Sequence, residues 1–229
     1  MRRAPLQWRQ PLDGPRLCYA FLSLVSLDFT QILVAMVVLI ASLSVHEAAH
    51  AWAANRLGDP TARLLGRLSL NPAVHIDPIG TLLFPLIAMT TGAPLIGWAK
   101  PVPVDTRHLR FPRRDFALIA AAGPASNLML AVIGVAAVSV VPPEAATLRG
   151  ALVLLVFVNV LLAVFNMIPV PPLDGGNVLA GLLPPSLAIS FNRLRPYGFL
   201  LLYALILSNG FSAIVMPPAR FLLSWLQVQ

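Results

Sequence analysis

Four long apolar runs, over residues 29–57, 115–141, 148–168 and 197–215, constrain this chain more than any other feature. A helix needs roughly 20 mainly apolar residues to cross a bilayer, and every run is close to that length or beyond it. Composition agrees, with 58% hydrophobic and only 11% charged residues, against about 25% charged in soluble globular chains. The expected fold class is an all-α polytopic membrane protein with about four to five spanning helices. No hydrophilic stretch is long enough for a second domain. One membrane domain is expected over 29–216, between a basic interfacial leader at 1–28 and an amphipathic tail at 217–229.

The formal net charge of +7 comes almost wholly from arginine, with Lys100 the only lysine. These arginines lie between apolar runs, where they mark cytoplasmic loops and anionic headgroups. The expected partner is therefore a lipid bilayer, with no nucleic acid. Cys18 stands alone, so the chain forms no internal disulfide and offers no cysteine cluster for a metal. Arg2, Arg3, Arg9 and Arg16 precede an apolar stretch at 17–27 that loosely resembles a signal peptide. It lacks a small-residue cleavage site, which favours an interfacial helix.

Punctuation between the runs gives the rest of the layout. Asp28 and Gln31 have capping-box spacing, and Gly58-Asp59-Pro60 stops the first helix. Residues 61–71, TARLLGRLSLN, are expected to form one or two short strands at the membrane surface. The apolar stretch 79–91 is too short to span comfortably and contains Pro85. A basic, proline-rich connection at 92–114 precedes the second run. After the third run, VPPLDGG breaks the helix, which is expected to resume near Asn177.

The chemistry concentrates in S-V-His46-Glu47-A-A-His50, inside the first run. Residues four apart share a helix face, so both imidazoles can address one ion. Glu47 lies about 100° further round the axis, beside the ion rather than under it, where a general base is needed. The bland alternative is a packed histidine with a satisfied hydrogen bond. It must explain three ionisable groups within five residues of a membrane helix, which are costly to bury unless paired or metal-bound.

A catalytic zinc normally takes three protein ligands plus water. Asp174 is the strongest candidate for the third, in N-M-I-P-V-P-P-L-Asp174-G-G directly after the third run. Alone, P-P-L-D-G-G reads as a surface turn. Beside a two-histidine site that lacks a carboxylate, the ligand reading is favoured. Zinc, one ion per chain, suits a set of two histidines and one aspartate.

With HEAAH, NPAVHIDPIGT, GWAKPVPV, AGPASN and NMIPVPPLDGG all in place, the chain resembles the site-2 proteases, in particular compact prokaryotic members without PDZ or CBS domains. The likeness runs over about residues 29–183. It implies an intramembrane zinc metalloendopeptidase that cuts transmembrane proteins or peptides in a prokaryotic inner membrane. His46, His50 and Asp174 would be ligands and Glu47 the base. Asn166 would help stabilise the scissile carbonyl, and Asn127 would pack near the substrate channel. His75 is expected to be a structural or substrate-loop residue and His108 solvated.

Topology can be reasoned separately. If the histidines and Asp174 share an ion, the first and third runs cross the bilayer in the same direction. Only one of 79–91 and 115–141 can then cross, so the shorter should be re-entrant or interfacial. The basic loops then share one side, the cytoplasm by the positive-inside rule, with the active site nearer that side. Two rivals stay open: a metal transporter whose His and Asp form a transport site, and an inactive relative that binds transmembrane clients.

Overall fold

The first helix stops because its sequence supplies a glycine where the chain must turn left-handed. Helix α1, Phe29–Arg56, is followed by Gly58 at φ 109°, and the Asp59 amide returns to the Ala54 carbonyl at 2.9 Å. That 6→1 bond is a Schellman closure, which satisfies a carbonyl the helix end would otherwise orphan. The computed structural model describes residues 29–91, 97–208 and 210–226. The leader expected at 1–28, including the Asp28 cap, lies outside them.

Residues 61–71 do not form the strands expected there, and the described residues contain no strand at all. Helix α2, Thr61–Leu64, turns instead, and a second Schellman closure ends it: Gly66 at φ 69°, with Gly66 N–H on Arg63 O and Arg67 N–H on Ala62 O. The reason is local. A strand leaves its amides for a neighbour, whereas this segment satisfies them within itself. Downstream, a π turn at Pro78–Leu83 is capped by Asp77, whose Oδ1 accepts from the Ile79 and Gly80 amides. It runs into α3, Phe84–Thr91. The combined helix Pro78–Thr91 is apolar but short, about 20 Å at 1.5 Å per residue against a hydrocarbon core of about 30 Å.

Among the described residues, three helices are long and apolar enough to cross a membrane: α1, α4 (Pro112–Val140) and α5 (Ala146–Asn166). Helix α4 is the hub, packed against α1, α5 and α6, the last spanning Asp174–Leu182. Small residues make these approaches possible, as is usual where helices meet in lipid. Ala53 and Ala54 of α1 meet Ile119 of α4, and Ala131 of α4 meets Val156 and Val160 of α5. Helix α6 starts at Asp174 itself, three residues earlier than expected, because the glycines that follow suit a tightly packed first turn.

The run at 197–215 is not one straight span. After α7, Pro185–Asn192, the chain forms α8 (Gly198–Leu207) and α9 (Gly210–Trp225). The stretches Pro185–Leu207 and Ser212–Trp225 meet at 78°, and taken together they are long and apolar enough to cross a membrane. Ser208 and Gly210 interrupt the leucine-rich sequence with weak helix formers, which explains where the bend falls.

Candidate metal centre

Helical spacing puts His46 and His50 on the buried side of α1, with ring centroids 4.6 Å apart. The turn after α5, residues 167–173, carries Asp174 back to the same place. His46 Nε2 and His50 Nε2 are 3.0 Å apart, and they lie 3.1 Å and 3.4 Å from Asp174 Oδ2. Among the described residues these three form the one group able to share a metal ion.

The contacts behind the rings decide what this triangle is. His50 Nδ1 is 2.7 Å from the Ile119 carbonyl, which can only accept, so its proton sits on Nδ1. His46 Nδ1 is 2.6 Å from Asn127 Oδ1, another acceptor. With both protons at Nδ1, the two Nε2 atoms present bare lone pairs to each other and to a carboxylate oxygen. Asp174 Oδ2 is buried and lacks a hydrogen bond of good geometry. Three acceptors crowded together repel unless a cation lies among them. Ligands about 2.0–2.1 Å from a tetrahedral zinc stand about 3.3 Å apart, and the observed edges match. The residues fit a zinc ion.

Close helix approach is part of the site. A Cβ on Gly123 of α4 would fall 2.4 Å from His50 Nε2 and 2.6 Å from His46 Nε2. Only glycine admits the α4 backbone this near the ligand atoms. Gly175 has the same role beneath Asp174, where a Cβ would meet the Met167 carbonyl oxygen at 2.3 Å.

Glu47 is half-buried on the adjoining face of α1, and its Oε2 accepts from the Val102 amide at 3.1 Å. The buried Arg67 guanidinium donates to the Lys100 and Pro101 carbonyls just before it. Asn166 ends α5, and its amide nitrogen donates to the Leu162 carbonyl of the same helix at 3.0 Å. Asn127 is fully buried behind His46. His75 is buried away from the triangle, donating from Nε2 to the Ser69 carbonyl at 2.8 Å. His108 is half-exposed but not merely solvated, since its Nδ1 lies 3.3 Å from Asp59 Oδ1.

Sequence reasoning missed Gly123, Asn159 and the Val102 amide. Asn159 had a visible signal, a lone amide in the apolar stretch ALVLLVFVNVLLAVF, because a polar group at such depth needs a partner.

Helices of membrane length around a buried triangle of two imidazoles and a carboxylate define the class: an integral membrane protein with a candidate cation site. Residues 142–207 match peptidase family M50. YwhC of Bacillus subtilis, described as a candidate zinc metalloprotease, is 35% identical over 190 residues, which cover 80% of this chain and 84% of YwhC. Rip2 of Mycolicibacterium smegmatis is 30% identical over 168 residues, 73% of this chain and 64% of Rip2. Rip2 of Mycobacterium tuberculosis is 31% identical over 170 residues, with 74% and 64% covered. The chain thus spans most of YwhC and just under two thirds of these Rip2 proteins. No solved structure matches significantly. The chain belongs to peptidase family M50, the site-2 protease family, and is a membrane-embedded metalloprotease of that family.

Proposed function

We propose that this chain is an intramembrane metalloendopeptidase that hydrolyses peptide bonds of transmembrane substrates. His46, His50 and Asp174 hold one zinc ion per chain, Glu47 is the general base, and Asn166 supports the scissile carbonyl. One observation carries the reading: bare Nε2 atoms from one helix meet a carboxylate from a distant segment, at edges of 3.0, 3.1 and 3.4 Å.

When bound, zinc supplies a Lewis acid that brings the pKa of water towards about 7 and polarises a carbonyl. Glu47 takes the proton from the attacking water and later passes it to the leaving amine. The Val102 amide holds Glu47 Oε2, so Oε1 is the oxygen left to receive that proton. The Asn166 carboxamide sits at the helix end, and reorienting from Leu162 would let Nδ2 donate to the developing oxyanion. The substrate helix must unwind locally, because its amides are hidden in their own hydrogen bonds.

The topology follows from the same triangle. Helices α1 and α5 run in the same direction, α4 returns between them, and Pro78–Thr91 is re-entrant or interfacial. The arginine-rich loops face the cytoplasm, in a prokaryotic inner membrane, with the triangle nearer that side.

The test is Glu47→Gln in reconstituted protein with a transmembrane substrate. Cleavage should fall by about 10²–10⁴-fold while zinc content stays at the wild-type value. Unchanged cleavage, or zinc flux that persists without cleavage in either protein, would overturn the reading.

A further inference from the structure

Behind His46 lies a chain of neutral groups that crosses three helices. Asn127 of α4 and Asn159 of α5 are both fully buried. Asn127 Nδ2 donates to Asn159 Oδ1 at 2.8 Å. Asn159 Nδ2 donates to the Leu155 carbonyl and to Ser42 Oγ of α1, each at 2.8 Å.

A carboxamide has nearly the same shape when turned over but the opposite chemistry, since its acceptor and its donors change places. The far end of this chain removes that freedom. The Leu155 carbonyl can only accept, so Asn159 must aim its nitrogen there and offer its oxygen to Asn127. Asn127 must answer with its nitrogen and offer its oxygen to His46. The His46 proton is thereby held on Nδ1. Turning over either amide alone would set two oxygens face to face at 2.8 Å in a buried site, where an unpaired polar group costs most.

We propose that Asn159, which does not touch the triangle, is a positioning residue for the metal centre: it sets which end of Asn127 faces His46, and so keeps His46 Nε2 bare for the ion. This rests on the reading of His46 as a ligand. His50 needs no such device, because the Ile119 main-chain carbonyl cannot be turned over.

Zinc affinity, measured on the full chain in detergent by competition with a chromogenic chelator, tests it. Asn159→Val removes the polar group at similar volume and should weaken zinc binding about tenfold, within the range for lost outer partners of metal-bound histidine. Asn127→Asp has no donor end to present, so in that background adding Asn159→Val should change affinity by less than about twofold. A structural role for Asn159 alone would cost the same in both backgrounds. The proposal is overturned if Asn159→Val binds zinc as tightly as wild type, or if the double variant loses as much as the single one. Should Asn159→Val not fold, Asn159→Ala is read with the same two outcomes. His46→Ala separates the two levels. If it keeps wild-type affinity, the ligand reading has failed; if it loses zinc while Asn159→Val does not, only the present inference has failed.

Discussion

Helix α1 carries two polar clusters, one at membrane depth and one just past its C-terminal end, and they are built differently. The deep cluster, Ser42–Asn159–Asn127–His46, uses neutral amides and a hydroxyl, each matched donor to acceptor. The outer cluster centres on the buried carboxylate of Asp59. It accepts from the Thr61 amide at 3.0 Å, from the Thr61 hydroxyl, and from the Asp105 amide at 2.8 Å, with His108 alongside. Charge is tolerated near water and costly in lipid. Before Arg56 at its end, α1 accordingly carries ionisable side chains only at His46, Glu47 and His50. In the proposed reading the first cluster serves the metal site, whereas the second ties the 97–109 segment to the end of α1.

This separation can be broken by experiment. The largest effect is expected from Gly123→Ala, whose methyl group would collide with both Nε2 atoms. Displacing the ligands by about 1 Å should lower proteolysis by about 10²-fold or more, with zinc lost and helicity retained by circular dichroism. Arg67→Leu probes the ground between the clusters. Freeing the Lys100 and Pro101 carbonyls should loosen the Val102 amide on Glu47 and cut kcat about tenfold, one lost hydrogen bond's worth, with zinc content unchanged.

Asp59→Asn should leave zinc affinity intact and lower stability by about 1–3 kcal/mol, the cost of leaving buried donors unmatched. Its pH dependence has a definite sign. Burial pushes the Asp59 carboxyl up, but hydrogen bonds from Thr61, Asp105 and His108 outweigh it and hold the group below the ordinary carboxylate value. The stability it contributes is present above the unfolded value of about 3.9 and is lost as pH falls through the lower folded value. Melting temperature measured from neutral pH downward should drop less steeply in Asp59→Asn than in wild type. The smallest effect belongs to Arg107→Ala. Its ion pair with Asp105 holds that carboxyl low, yet Arg107 is 87% exposed, and water screens such pairs. Melting temperature and cleavage should both be unchanged.

Local chemistry was readable in the sequence and tertiary approach was not. HEAAH is legible because helical spacing alone places the imidazoles together, and Gly58 because a helix end needs a left-handed residue. Asp174 could be found by asking what a two-histidine site lacks. The segment 61–71 misled, since its alternation of arginine and leucine suits a strand while its amides close on themselves. Gly123 lies inside AGPASN, yet its need for a bare backbone appears only when α4 lies against α1. The bend before α9 had a visible signal, the S-N-G sequence at 208–210, which reading 197–215 as one run passed over.

Zinc content of the purified Asp174→Ala protein, beside wild type, bears most directly on the central claim that two imidazoles and a distant carboxylate hold one ion. Wild type should carry close to one zinc per chain and the variant almost none, with both proteins equally helical. Equal zinc in the two would contradict it.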